Sequence, residues 1–109
     1  MIRNLRTSAV ISRHELHCKS ALSLALGLRL RKPQVALLYL SEPQRASLDM
    51  WFVFYPIDVL FLDEKKKVIE IKRDLRPWRG YKPSRSWAYA IEIPCYRPYK
   101  ARLGDKLQF

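Results

Sequence analysis

From Pro56 to Lys72 the chain reads PIDVLFLDEKKKVIEIK, and this stretch limits the fold more than any other. Two runs rich in β-branched and aliphatic residues, Ile57 to Leu62 and Lys67 to Lys72, flank a charged DEKK turn, the pattern of a β-hairpin. In the second run Val68, Glu70 and Lys72 alternate with Lys67, Ile69 and Ile71, although Val68 blurs the alternation. The first run has no polar face below Asp58: Ile57, Val59 and Phe61 are apolar, and so are Leu60 and Leu62 between them. Such a strand belongs in the middle of a sheet, covered on both sides.

Further strand signals are VALLYL (35–40), MWFVF (50–54), AYAIEI (88–93) and the terminal DKLQF. Pro56 separates MWFVF from the central run and marks a bend or an edge. Short strands punctuated by turns predict a mostly β domain, a small sandwich or barrel. A chain of 109 residues makes one domain, spanning 1–109, with enough surface buried on folding to hold a core.

The N-terminal third is open to two readings. Ser12 and Glu15 in SRHE match a capping box, and Cys18, Ala21, Leu22, Ala25 and Leu26 form a helical stripe. Val10, Ser12, His14, Leu16 and Cys18 equally fit one face of a strand, followed by a short helix from Ser20 to a stop at Gly27. HELHC invites a metal-site reading, but in a strand His14 and Cys18 face away from His17, and the spacing is one residue short of His-Glu-x-x-His. No metal or cofactor is expected. Cys18 and Cys95 read as reduced core thiols, with a disulfide between them as the alternative.

The order of motifs from Val10 onward resembles the domain of unknown function 192 family, small prokaryotic proteins of uncharacterised role. The resemblance rests on Met50 and Trp51, then Pro56, Ile57, Asp58 and VLFLD, with Gly27, Leu28 and Arg31 upstream and Gly104-Asp105 downstream. Arg29 stands where the family usually has methionine, and Phe52, Val53 and Phe54 replace the Lys-Asn-Thr common in bacterial relatives. The resemblance implies a compact, mostly β fold in which the segment before Gly27 is a strand and then one short helix. It implies no catalytic residues.

Asp58 is the most suggestive acid, a carboxylate between Ile57 and Val59 that needs a partner. An arginine such as Arg31 would supply a structural pair. Two histidines, no glycine-rich phosphate loop and no nucleophile context leave enzyme chemistry little to build on.

Charge points elsewhere. The formal net charge is +11, concentrated in residues 1–32 (+6) and 64–109 (+8), with 33–63 at −3. Such a field attracts nucleic acid or another polyanion, while the simplest reading is a solvated surface. Residues 73–87 place a base at every third position: Arg73, Arg76, Arg79, Lys82 and Arg85, with Leu75, Trp78, Tyr81 and Trp87 beside them. A period of three is that of polyproline II, bent at Gly80, with an apolar edge clipped to the body and a basic edge facing out.

The sequence therefore predicts a non-enzymatic binding or accessory module. Its expected partner is a nucleic acid or other polyanion, held without sequence preference by Arg73, Arg76, Arg79, Lys82 and Arg85, with Trp78, Tyr81, Lys100 and Arg102 assisting. The rival reading is a small-molecule or carbohydrate pocket at Trp51, Asp58 and Arg31. The longest apolar stretch, ALSLALGL, is far short of a membrane span and is no signal peptide, so a cytoplasmic location is expected.

Overall fold

The computed structural model describes residues 1–19 and 32–109. Ten strands follow in order: β1 (Ile2–Asn4), β2 (Val10–Ser12), β3 (Leu16–Cys18), β4 (Ala36–Gln44), β5 (Leu48–Asp49), β6 (Ile57–Leu62), β7 (Val68–Leu75), β8 (Gly80–Tyr81), β9 (Trp87–Pro94) and β10 (Leu107–Gln108). A central sheet has the order β3-β4-β9-β6-β7, antiparallel except for the parallel β3/β4 pair. Two small sheets, β10-β1-β2 and β5-β8, complete the architecture.

All six residues of β6 are buried, as its unbroken apolar run requires. Ile57, Val59 and Phe61 join one core with Leu38, Met50, Val53, Ala90 and Trp87, against which Leu48 of β5 and Tyr81 of β8 pack. Leu60 and Leu62 join a second core with Ile2, Ile11, Leu37, Ile91 and Leu107, under the β1, β2 and β10 sheet. This corrects the expected sandwich or barrel with one short N-terminal helix. A strand apolar on both faces needs a core on each side, which the single interior of a closed barrel does not supply. The central sheet stays open, ending at edges β3 and β7. The described residues hold strands and no helix, and the predicted helix from Ser20 to Gly27 lies outside them. No helix among the described residues is long and apolar enough to cross a membrane.

The DEKK turn forms as predicted, with Asp63 Oδ1 accepting the amides of Lys65 (2.9 Å) and Lys67 (3.0 Å). Val68 blurs the alternation because β7 is bulged there: Phe61 pairs with Glu70 and Leu62 with Val68, leaving Ile69 extra. MWFVF is not a strand. Phe52 turns left-handed (φ 62°), and the Val53 amide donates back to the Met50 carbonyl at 3.2 Å. Cys95 is half-buried and not bonded to Cys18, which lies buried in the core, so the alternative disulfide between them is not formed.

Asp105 fastens the N-terminal strand to the last loop. It accepts Nε of Arg6 (2.5 Å), Nδ2 of Asn4 (2.8 Å) and the Arg102 amide (3.0 Å). The Arg6 guanidinium, with these other donors, outweighs burial and holds the carboxyl down at about 2. A folded-state pKa below the unfolded value gives stability that is full above pH 4 and is lost as pH falls through the folded value. With Arg6 open to water, we expect about 1–2 kcal/mol from this carboxylate at neutral pH. Urea unfolding of Asp105→Asn and the parent should therefore differ at pH 7 and converge toward pH 2.

Candidate functional site

Two neighbouring arrangements grow out of β7. The first is a second bulge: Ile57 pairs with Leu75 but Val59 pairs with Lys72, so Arg73 and Asp74 together oppose Asp58. Asp74 takes a left-handed conformation (φ 54°), which aspartate tolerates, and its amide donates to Asp58 Oδ1 at 2.9 Å. Cys95 Sγ donates to the same oxygen at 3.2 Å. The Tyr99 hydroxyl donates to Oδ2 at 2.6 Å, and Arg73 lies 3.6 Å from Oδ2 while donating to the Tyr99 oxygen at 2.9 Å. Asp58 is only 9% exposed. Burial alone would raise its carboxyl, but the donors from Tyr99, Asp74 and Cys95 and the charge of Arg73 outweigh it and hold the pKa below the usual carboxylate value. The same contacts act inversely on the donors: burial and then Asp58 push the Cys95 thiol up to about 11 and raise Tyr99 as well. A thiol so raised is a poor nucleophile, and a carboxylate so occupied is a poor base. The arrangement ties the 94–99 segment to the sheet.

The second arrangement is the loop from Arg76 to Ser86. It is a strand end, a turn and the short strand β8 rather than a polyproline helix. Trp78 takes φ 66° at the turn, and the triplet register is broken there. Glu70 pins the loop from β7, accepting the Tyr81 hydroxyl and the Ser84 hydroxyl (2.8 Å) and amide (3.1 Å). These bonds outweigh the burial of Glu70 and lower its pKa, while Tyr81 is pushed up to about 12 by the same bond. Arg45 Nε holds the Pro83 carbonyl at 2.6 Å. The expected apolar edge docks where Leu75 and Trp87 are buried and Tyr81 lies against Phe61.

Trp78 is the exception. It stays 43% exposed and meets Trp51, Phe52 and Phe54, themselves 54%, 50% and 64% exposed. Ring centroids lie 5.5, 5.2 and 5.7 Å from Trp78, each pair edge to face. Buried Met50 joins the two loops through its backbone, accepting the Trp78 amide at 2.9 Å and donating to the Arg79 carbonyl at 2.7 Å. Left-handed backbone at two bulky aromatics, Phe52 and Trp78, costs about 1–2 kcal/mol each and persists because these bonds dictate it.

The other residues singled out in the sequence divide as follows. Arg76, Arg79, Lys82 and Arg85 are exposed on the pinned loop, with Arg76 3.0 Å from Asp74. Arg73 is drawn to Asp58 instead. Lys100 and Arg102 lie beside Tyr99 and Ala101, which pack on the other core, and so are not grouped with the loop. Among the described residues Trp51 follows Met50 of one core, while Asp58 bonds Tyr99, which packs on the other. Arg31 lies outside the described residues, and Asp58 has Arg73 close by. A shallow cavity of about 420 Å³ near Asp63, Lys67 and Arg85 touches neither Trp51 nor Asp58. His17 stacks on Tyr39 at 5.7 Å while Cys18 is buried in the core, so these two histidine-cluster residues point apart.

Sequence reasoning missed Phe52 and Phe54 as surface groups and Tyr99 and Cys95 as partners of Asp58. A signal for the first existed, since polar residues are common at those positions in bacterial relatives. None existed for the second, because both partners are about forty residues away in the chain.

The described residues form an open β architecture with a core on each face of its central sheet. A solved structure from Sinorhizobium meliloti 1021 matches with a TM-score of 0.85 at 17% identity, covering 98% of this chain and 90% of its own. A protein of unknown function from Novosphingobium aromaticivorans DSM 12444 matches with a TM-score of 0.76 at 18% identity, covering 87% and 74%. At that identity the likeness is one of fold. The chain belongs to the DUF192 family, described as Uncharacterized ACR, whose profile matches residues 13–109. UPF0127 proteins of Pyrococcus abyssi and Pyrococcus horikoshii are each 36% identical over 90 residues, 78% of this chain and 76% and 77% of theirs.

Proposed function

We propose that this protein is a non-enzymatic module that holds a nucleic acid, without sequence preference, on the loop from Arg76 to Arg85. The observation that supports this is the placement of Arg76, Arg79, Lys82 and Arg85, all exposed on a loop whose backbone is fastened by Glu70, Met50 and Arg45. A backbone fixed in advance lowers the ordering cost of bringing these cations to a phosphate backbone, leaving only that of the side chains themselves. The overall charge of +11 brings polyanions to the surface. The lack of a disulfide between Cys18 and Cys95 suits the cytoplasm as the working compartment.

Arg76→Ala, Arg79→Ala and Lys82→Ala combined should weaken binding of a labelled single-stranded RNA and flatten its salt dependence. Loss of three phosphate contacts reduces the slope of log K against log salt by about 2. All three side chains are exposed, so the fold should survive. Titrations at about 50 and 200 mM salt would measure the slope, and an unchanged slope in the variant would assign the loop cations to solvated surface.

A further inference from the structure

We infer that the aromatic group of Trp51, Phe52, Phe54 and Trp78 contacts unpaired bases, so that the ligand is a single strand rather than a duplex; this rests on the nucleic-acid reading above. The two halves of such a contact meet in one turn. Trp78 lies between Arg76 and Arg79, whose backbones close on each other, and the other three rings gather round it from the 50–54 loop. Interplanar angles of 87°, 65° and 73° mean that no ring stacks flat on Trp78, and Phe52, Phe54 and Trp78 keep 50%, 64% and 43% of their surface exposed.

The occupant follows from charge and shape together. A ligand for this face must carry anions for the arginines and flat apolar surface for the rings at short spacing. A duplex offers the anions but hides the base faces in its stack, whereas a single strand offers both. Three of the four loop cations are arginine, whose planar group pairs with phosphate in two-point fashion and also stacks on bases. A bilayer would take the same residue types, but Trp78 and the 50–54 loop are fastened through the Met50 backbone with Trp78 itself only 43% exposed, which suits a platform better than an inserting wedge.

The test compares the parent with Phe52→Ser/Phe54→Ser, both surface positions on either side of buried Val53. Probes are a labelled single-stranded RNA of about 20 nucleotides, a duplex DNA, inorganic polyphosphate as a base-free competitor, and vesicles rich in an anionic phospholipid. The variant should lose about 10- to 100-fold in single-strand affinity, in line with the worth of one stacked base, with an unchanged salt slope and unchanged duplex and polyphosphate binding. RNA should also quench parent tryptophan fluorescence through Trp51 and Trp78, since Trp87 is sealed in the core. Equal affinity for strand and duplex, no quenching and an indifferent variant would overturn the inference while leaving the cation reading intact if the parent's salt slope is steep. Vesicle binding lost in the variant with RNA binding unchanged would overturn it in favour of a lipid surface. No salt-dependent binding of any nucleic acid by the parent would overturn both.

Discussion

Trp87→Ala should lower the unfolding free energy by about 3–5 kcal/mol, the largest single effect expected among core substitutions here. Trp87 is 1% exposed, opens β9 and fills the core beneath β5 and β8. Its ring meets Phe61 edge to face at 5.4 Å, and Phe61 in turn supports Tyr81 at 5.9 Å. Its Nε1 donates to the Ala46 carbonyl at 3.0 Å, so the truncation leaves both a cavity and an unpaired carbonyl. For a domain of this size the loss corresponds to a fall of about 12–30 °C in Tm, readable by calorimetry or circular dichroism. Trp87→Phe keeps most of the ring and loses the bond to Ala46, and should cost about 1–2 kcal/mol. Comparable losses in the two variants would mean that the core side of the ring contributes little. Because Tyr81 carries the loop clamp through Glu70, the alanine variant should also loosen the Arg76 to Ser86 loop, visible as faster amide exchange at Ser84.

How much of this was legible in the sequence depends on the range of the interaction. The β6/β7 hairpin was readable because its pattern is local: apolar runs on both sides of DEKK, a turn that Asp63 closes within four residues. The burial of β6 on both faces followed from its unbroken apolar run, yet a closed barrel stayed among the expectations; it is the two cores flanking β6 that exclude it. MWFVF was misread as a strand because apolar density also suits an exposed aromatic loop, and the left-handed turn at Phe52 leaves no mark that propensity can detect in a phenylalanine. The three-residue register of the cations was present in the sequence but not in space. Arg73 follows the bulge to Asp58, and Trp78 reverses the chain before Arg79. The need for a partner at Asp58 was legible; the identity of Tyr99 and Cys95 was not, because only the pairing of β6 with β9 brings the segment after Pro94 alongside.

Asp58→Ala should cost about 3–4 kcal/mol, and Asp58→Asn about 2–3, although neither touches the proposed binding loop. The carboxylate is the common acceptor for the Asp74 amide, the Cys95 thiol and the Tyr99 hydroxyl. Alanine leaves all three donors without it. Asparagine keeps one oxygen for the Asp74 amide and the Cys95 thiol, but its amide nitrogen cannot accept the Tyr99 hydroxyl proton, so the charge-assisted bond there is lost or reversed. The partial exposure of Arg73 limits the loss, because its guanidinium returns to water when the acid is gone. The pH dependence separates this account from a simple packing defect. The Asp58 carboxyl titrates below its unfolded value, so its contribution is fully present above the unfolded pKa of about 3.9 and is lost as pH falls through the folded one. The stability gap between the parent and Asp58→Asn should therefore be constant from pH 5 to 8 and narrow on the acid side of about pH 4. A gap that stays open at low pH would mean that the shape of the side chain, not its charge, holds the 94–99 segment down. Salt-dependent RNA binding should survive in Asp58→Asn wherever the variant remains folded, since Arg76, Arg79 and Lys82 are held through Met50 and Glu70 rather than through Asp58.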